Sequence, residues 1–293
     1  MVKQVLFIIN QASGTDRRKT LEDLLAHHLD ASVVRHEIAF TAYRGHATEL
    51  AREGVKNGAQ IIAAVGGDGS VNEVAQGMLG SSAALAVIPA GSGNGLARAL
   101  GISRSAGRAI RLLNAMNIRR IDVGWANDKL FLSNAGVGFD ALIARLFAKN
   151  TGRGLTNYAK LVIGSFKKYQ SKHYHLETDQ GEFHEQAFFV AAANGNQFGY
   201  DFKIAPDAEL DDGLLDICIM QPLKMRDLPL VSVQALAGKL QNNVYASHVR
   251  CRSVVITREE PLEWMQVDGD AFPVENGKVT IRVQPHVLPV IVP

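Results

Sequence analysis

Two cysteines, two tryptophans and nine prolines among 293 residues leave little room for several classes of protein. A chain this long with two thiols is no disulfide-stapled scaffold, and Cys218 and Cys251, set in apolar strand-like contexts, are expected to be reduced packing residues. No stretch approaches the ~18 consecutive apolar residues of a membrane-crossing helix. Met1-Val2-Lys3-Gln4 leads straight into Val5 to Ile9 without the cleavage pattern of a secretory leader, so a cytoplasmic protein is expected. Charge of one sign is missing too. The 31 Lys and Arg stand against 29 Asp and Glu, a formal charge of +2, too balanced for a general nucleic-acid binder, and no nucleic-acid partner is expected. A G-x-G-x-x-G dinucleotide fingerprint is lacking, because Leu96 and Asn72 stand where its third glycine is needed, and no G-K-[ST] follows any glycine cluster. Neither an internal repeat nor a low-complexity linker interrupts the chain.

What is present is 47% hydrophobic residues, enough for two packed cores at roughly 150 residues per domain. Two glycine-rich turns follow apolar runs. Gly66-Gly67-Asp68-Gly69-Ser70 comes after Ile61 to Val65 and before Val71, Val74, Ala75, Met78 and Leu79, which recur at helical spacing. Gly91-Ser92-Gly93-Asn94-Gly95 comes after Ala84 to Ile88 and before Leu96, Ala97 and Leu100, with Asn94 placed as an N-cap. In such strand–turn–helix units glycines let the backbone approach a ligand and take positive φ, and the first helical amides point at an anion. Phosphate is the natural guest. Asp68 would repel it unless a divalent cation or a substrate hydroxyl stood between them, which hints at magnesium. One such turn is weak evidence, since tight βα turns use glycine for steric reasons alone, but two in succession are much less easily accidental.

Strand and helix signals alternate through the first 120 residues: Val5 to Ile9, a helix marked by Leu21, Leu24, Leu25, His28 and Leu29, Val33 to Phe40, a helix marked by Ala47, Leu50, Ala51 and Val55, then the two glycine units and a helix around Ala109 to Leu113. The expected fold is α/β, with an N-terminal doubly wound parallel sheet over residues 1–122 and the ligand at the carboxyl ends of the strands. Asn10 and Thr41 fall at those ends, where each can either bond a nucleotide or cap the next helix. Asn72 and Glu73, just past the first loop, are placed to orient Asp68 or a metal-bound water, and His46 reads as a helix-start residue. Beyond Arg119-Arg120 short alternating strands such as Val254 to Ile256, Trp264 to Gln266 and Val279 to Val283 predict a mostly β, sandwich-like domain over 123–284, after a short hinge near 121–125. The tail 285–293 is free to pair back with the first domain, and the active site is expected in the cleft between the two.

Two acidic turns lie in the second half. Asp207-Ala208-Glu209-Leu210-Asp211-Asp212-Gly213 fails as a calcium loop, since Asp212 stands at the sixth position where glycine is required and Cys218 at the twelfth where a glutamate is. Asp268-Gly269-Asp270 offers paired carboxylates about a glycine, or simply a hairpin turn. His173, His175 and His184 show no metal-ligand spacing on a common helix face and are expected to be surface groups. From Arg145 to Lys172, basic residues interleave with Leu146, Phe147, Leu155, Tyr158, Leu161, Val162, Ile163 and Phe166. That segment suits either an anionic lipid surface or an ordinary amphipathic helix with a solvated basic face.

Gly66-Gly67-Asp68-Gly69-Ser70-Val71-Asn72-Glu73-Val74 with Pro89-Ala90-Gly91-Ser92-Gly93-Asn94-Gly95 resembles the diacylglycerol kinase catalytic-domain family, which includes sphingosine and ceramide kinases and bacterial lipid kinases. The likeness runs along nearly the whole chain, through Ile9 to Gly14, Thr41 with Arg44 to Ala47, Ser133 to Asp140, Ala193-Asn194-Gly195, Ala205-Pro206, Asp212 to Asp216 and Val267 to Asp270. Gln11, Ser70 and Asp270 depart from the family's usual Pro, Thr and Glu, and the second loop is nearer the sphingosine-kinase form. The resemblance implies an ATP-dependent, magnesium-requiring lipid kinase. Diacylglycerol is the leading acceptor and a sphingoid base or ceramide the second. NAD kinases and phosphofructokinases share the first loop but not the later acidic segments. The rival of another class is a regulator that binds nucleotide or lipid without catalysis, against which the retained Asp68, Asp212, Asp268 and Asp270 argue. The resemblance further implies magnesium on Asp212 with the carbonyls of Glu209 and Leu214, a base that is either Asp268 or Asp270, peripheral membrane contact, and an assembly that is open to a homodimer.

Overall fold

The computed structural model describes residues 2–10, 16–150, 155–197 and 201–293. The chain forms two compact units, Met1–Ile121 with His286–Pro293, and Asp122–Pro285. Gln11 to Gly14, and residues 151–154 within the Arg145 to Lys172 segment, lie outside the described residues.

In the first unit β1 (Lys3–Asn10), α1 (Asp16–His28), β2 (Val34–Thr41), α2 (His46–Lys56), β3 (Ile61–Gly66), α3 (Asp68–Met78), β4 (Ala84–Pro89), α4 (Gly95–Ala99) and α5 (Ala106–Ala115) alternate as expected. The strands are parallel in the order β2-β1-β3-β4. Every residue of β3 and β4 is buried, the pattern of central strands covered on both faces. The chain steps from β1 outward to β2 and then back past β1 to β3. Right-handed crossovers therefore set α1 on one face and α2 and α3 on the other; α2 packs against α3, and α5, which follows β4 and α4, packs against α1.

β5 (Ile118–Ala126) passes unbroken through the boundary at Ile121, where a short hinge was expected. Its residues keep up strand hydrogen bonding, so no loop is needed there. The long last strand of the chain, β16 (Val279–Ile291), ends by pairing in parallel with β4 through Val290 and Leu85, and Val292 donates to the Asn117 carbonyl at 2.9 Å.

The second unit holds β6 (Lys129–Phe131), β7 (Asn134–Gly138), α6 (Phe139–Lys149), α7 (Leu155–Phe166), β8 (Lys172–Thr178), β9 (Gly181–Ala187), β10 (Phe189–Ala193), β11 (Leu215–Met220), α8 (Leu228–Leu236), β12 (Ala246–Cys251), β13 (Ser253–Arg258), β14 (Trp264–Val267) and β15 (Asp270–Pro273). One antiparallel sheet runs β12-β11-β10-β7-β14-β15. A second is built from the first half of β16 with β13, β8 and β9. Side chains alternate across the first sheet. Val190, Ala192, Leu215, Ile217 and Ile219 face a core shared with Tyr174, Leu176, Val254, Ile256, Val279 and Ile281 of the second sheet. Ala191, Ala193, Cys218 and Met220 face the other way, against Phe139, Ile143 and Phe166 of α6 and α7 and Ala235 of α8.

The apolar residues between Arg145 and Lys172 are therefore largely spent on packing, with Tyr158, Leu161 and Val162 against that helical core and Ile163 exposed. Cys218 and Cys251 are free and buried, and burial pushes both thiols up to about 12, which keeps them protonated packing groups. No helix among the described residues is long and apolar enough to cross a membrane.

Candidate functional site

The parallel sheet brings Asn10 and Thr41 side by side in register at the carboxyl ends of β1 and β2, with Gly66 and Pro89 in register at the ends of β3 and β4. β1 and β3 flank the point where the winding reverses, the place where open α/β sheets leave a crevice for ligand. The Asn10 amide donates to the Ser70 hydroxyl at 3.1 Å, tying the first strand to the first glycine loop. Thr41 and Asn72 are both buried there.

The two glycine loops touch backbone to backbone. A Cβ on Gly91 would lie 2.5 Å from the Gly67 Cα, and one on Gly67 would lie 3.3 Å from the Gly91 Cα. Glycine is thus required for close approach, and the positive φ expected of these glycines is not used: among the loop residues only Asn94 has it, at 53°. Nor does Asn94 cap α4 with its side chain. Its Oδ1 accepts from the Gly91 amide at 3.1 Å and its Nδ2 donates to the Gly91 carbonyl at 2.8 Å, closing the loop on itself, a geometry that Asn tolerates in the left-handed region.

α3 begins at Asp68, so Asp68, Gly69 and Ser70 are helical residues and the turn proper is Gly67, extended at the N-cap. The Asp68 carboxylate receives the backbone amides of Leu96, Gly95 and Asn94, and burial still holds its carboxyl above the usual range. It does for α4 what the side chain of Asn94 was expected to do, and it couples α3 to the second loop. Glu73 likewise turns from the loop: its Oε1 accepts from the Gly45 amide at 3.0 Å, while Thr48 Oγ1 donates to its carbonyl at 2.8 Å. Asn72 Oδ1 accepts from Gln76 at 2.6 Å. His46 starts α2 and stacks on Tyr43.

In the second unit the Asp268-Gly269-Asp270 turn treats its two acids differently. Asp268 has φ 47° and its carboxylate accepts from the amides of Leu132, Ser133 and Asn134 at 2.9, 2.8 and 3.1 Å. Gln266, buried, accepts from the Gly269 amide at 3.0 Å and donates to Asn134 Oδ1 at 2.7 Å and Asp140 Oδ2 at 3.3 Å. Asp270, by contrast, is exposed at the head of β15.

The acidic turn around Asp212 is organised from below by Asp122, whose Oδ2 accepts from the Gly213 amide at 2.7 Å. Asp212 Oδ1 accepts from the Leu214 amide at 2.9 Å, and its Oδ2 pairs with Arg250. Arg250 also lies 3.6 Å from Asp216, whose carboxyl burial pushes up to about 6 against the pull of that guanidinium. Glu209 is exposed. One carboxylate and main-chain carbonyls at a turn are the hard oxygen donors that magnesium takes, so the donor set fits, with Arg250 as the resident competitor.

A family model described as "Diacylglycerol kinase catalytic domain" matches residues 4–126, and one described as "YegS C-terminal NAD kinase beta sandwich-like domain" matches residues 133–292. A protein of Chromohalobacter salexigens named "Probable lipid kinase YegS-like" is 34% identical over 262 residues, 87% of this chain and 81% of that protein. The chain belongs to the diacylglycerol kinase catalytic-domain family. A second relative, the "Diacylglycerol kinase" of Bacillus subtilis, is 29% identical over 276 residues, covering 92% of this chain and 90% of its own. A crystal structure of a diacylglycerol kinase from Bacillus anthracis has the same fold, with a TM-score of 0.73, 23% identity and coverage of 99% and 97% of the two chains.

Within this lipid kinase family member, the residues that sequence reading passed over are second-line carboxylates and amides: Asp122, Asp140 and Gln266. Asp140 is buried, and burial pushes its carboxyl up to about 8 despite bonds from the Ala141 amide and Gln266. A raised folded-state value means that its contribution to stability is complete below the unfolded value of 3.8 and is lost as pH climbs toward 8. Between pH 5 and pH 8 the kinase should lose thermal stability relative to an Asp140→Asn variant, with the difference levelling off above about 8. Parallel melting curves of the two proteins across that range check this, and curves that keep a constant offset would refute it.

Proposed function

We propose that this protein is an ATP-dependent lipid kinase that transfers the γ-phosphate to a lipid alcohol, with diacylglycerol as the leading acceptor. The observation that carries the reading is the backbone contact of Gly67 with Gly91, which makes one surface of two turns at the carboxyl edge of a parallel sheet in a chain of this family. The amides of Gly69 and Ser70, in the first turn of α3, have no carbonyl one helical turn behind them and aim at an anion there. Gly66, Gly67, Gly91, Ser92, Gly93 and Asn94 line the phosphate path, and Asn10 and Thr41 bond the nucleotide at the strand ends. Asp68 serves as the brace that keeps the two loops together.

Asp270 is the general base. It takes the proton of the lipid hydroxyl as that oxygen bonds to the γ-phosphorus and the bond to the ADP oxygen breaks. Asp268 positions the turn. Magnesium would be held by Asp212 with the carbonyls of Glu209 and Leu214, and when bound it supplies positive charge that offsets phosphate oxygens and the local acids. A sphingoid base or ceramide is the second acceptor, favoured by the Gly91-Ser92-Gly93-Asn94-Gly95 form of the second loop.

Access to a lipid calls for a peripheral membrane contact, and α8 supports one. Leu230, Val233 and Leu236 are exposed on it, with Val244 beyond, and exposed Lys224, Arg226 and Lys239 flank them. Apolar residues rimmed by basic ones suit an anionic leaflet.

The test is incubation of purified protein with γ-labelled ATP, magnesium and, separately, diacylglycerol, sphingosine, ceramide and NAD in anionic vesicles. Label is expected in diacylglycerol, and a Leu230→Asp/Val233→Asp variant should lose at least tenfold in vesicle binding while retaining the fold. Label in NAD overturns the lipid reading, label in sphingosine or ceramide selects the second acceptor, and nucleotide binding with no transfer points to a regulator.

A further inference from the structure

In the second unit, β8 and β9 form a hairpin at the edge of their sheet, with β9 as the outermost strand. Its register places His175 directly opposite His184 and Glu177 directly opposite Glu182. Period-two alternation puts all four on the solvent face, because Tyr174 and Leu176 point into the core. The imidazoles lie in parallel with centroids 4.3 Å apart and planes 6° apart. His175 Nε2 is 3.4 Å from Glu182 Oε2, and His175 Nδ1 is 3.8 Å from Glu177 Oε1.

As a device for stability this face is badly arranged. Two carboxylates directly across a strand pair repel each other, and so do two stacked imidazoles once protonated. A cation between them converts both liabilities into attraction. One ligand atom each from His175, Glu182 and His184 already lies within 4.8 Å of the others, which among the described residues is the one cluster of three such donors. Tetrahedral donors about 2.0–2.1 Å from zinc stand roughly 3.4 Å apart, so the side chains must close by about 1.4 Å, a rotamer adjustment on a half-buried and two exposed residues.

We propose that His175, Glu182 and His184 form a binding site for a divalent transition-metal ion of the zinc class, which clips the edge hairpin. Two imidazoles with one carboxylate are a recurrent zinc donor set, and imidazole excludes the hard cations that the nucleotide chemistry uses. The fourth position is left to water or to a donor from another molecule. This site owes nothing to the kinase reading and stands or falls apart from it.

Tag-free protein titrated with Zn2+ against a chromophoric competitor should bind one equivalent at this site. His175→Ala and His184→Ala should each weaken that binding at least tenfold, and Glu182→Gln several-fold. Co2+ should give the intense visible absorption of a four-coordinate ion. If a substitution unfolds the hairpin, histidine NMR of the unaltered protein decides: the signals of two imidazoles, and of no others, should shift on adding one equivalent of Zn2+. Zinc binding no tighter than that of the triple variant, or imidazole signals that stay in place, overturns the proposal.

Discussion

Asp270→Asn should lower turnover by roughly 10²- to 10⁴-fold, the usual reach of a general base, while leaving the melting temperature and the affinity for ATP nearly unchanged. The same substitution at Asp268 should do the opposite. Asp268 holds three backbone amides with one charged carboxylate, and asparagine keeps a single acceptor oxygen while turning an N–H group toward donors. Losing charge-assisted bonds and leaving amides unpaired costs about 2–3 kcal/mol. For a protein of this size that corresponds to a fall in melting temperature on the order of 3–5 °C. Asparagine also accepts the left-handed backbone at that position, so the effect reads the hydrogen bonds rather than strain. Steady-state kinetics and thermal melts on the two variants separate the roles. Turnover lost in Asp268→Asn at unchanged stability, with Asp270→Asn active, would reverse the assignment.

Gly91→Ala should raise the KM for ATP more than tenfold and lower stability by about 1–3 kcal/mol. The added methyl would sit 2.5 Å from the Gly67 Cα and 3.2 Å from its nitrogen, so it meets main chain, which cannot rotate away as a side chain can. The loops must part by about an ångström, and a phosphate site built from both loses its geometry by that amount. Gly69→Ala is the matched control. A Cβ there meets nothing within 4 Å, and the residue lies in the first turn of α3 without positive φ, so stability should hold or improve slightly. Unaltered KM in Gly91→Ala would remove the loop contact from the argument for ATP binding.

The order of elements in the first unit could be read from sequence because its strands are continuous apolar runs and its helices keep apolar residues at helical spacing, two local signals. The glycine loops were visible for the same reason. Their internal wiring was not. That Asp68 spends its carboxylate on the amides of residues 94–96, and that Glu73 reaches Gly45, depends on which loop ends meet at the sheet edge. Likewise Asp268 and Asp270 are chemically equal in sequence, and only the approach of residues 132–134 tells them apart. The histidines were judged against helical spacing, whereas His175 and His184 meet through strand register around the turn at Asp179 and Gln180. Asp122 and Gln266 gave no motif at all, and Asp140 showed only as the end of the family-like segment Ser133 to Asp140, without a role, since each acts with groups of distant segments.

The parallel pairing of Val290 with Leu85 bears on how the polypeptide matures on the ribosome. β4 is synthesised some 200 residues ahead of its outer neighbour, so during most of translation one flank of the nascent nucleotide-side sheet displays unpaired amides and carbonyls. Such an uncovered flank is an adhesive template. The fully translated second unit must therefore emerge before the first can seal, and fragments cut near residue 121 should clump where the intact polypeptide stays dispersed.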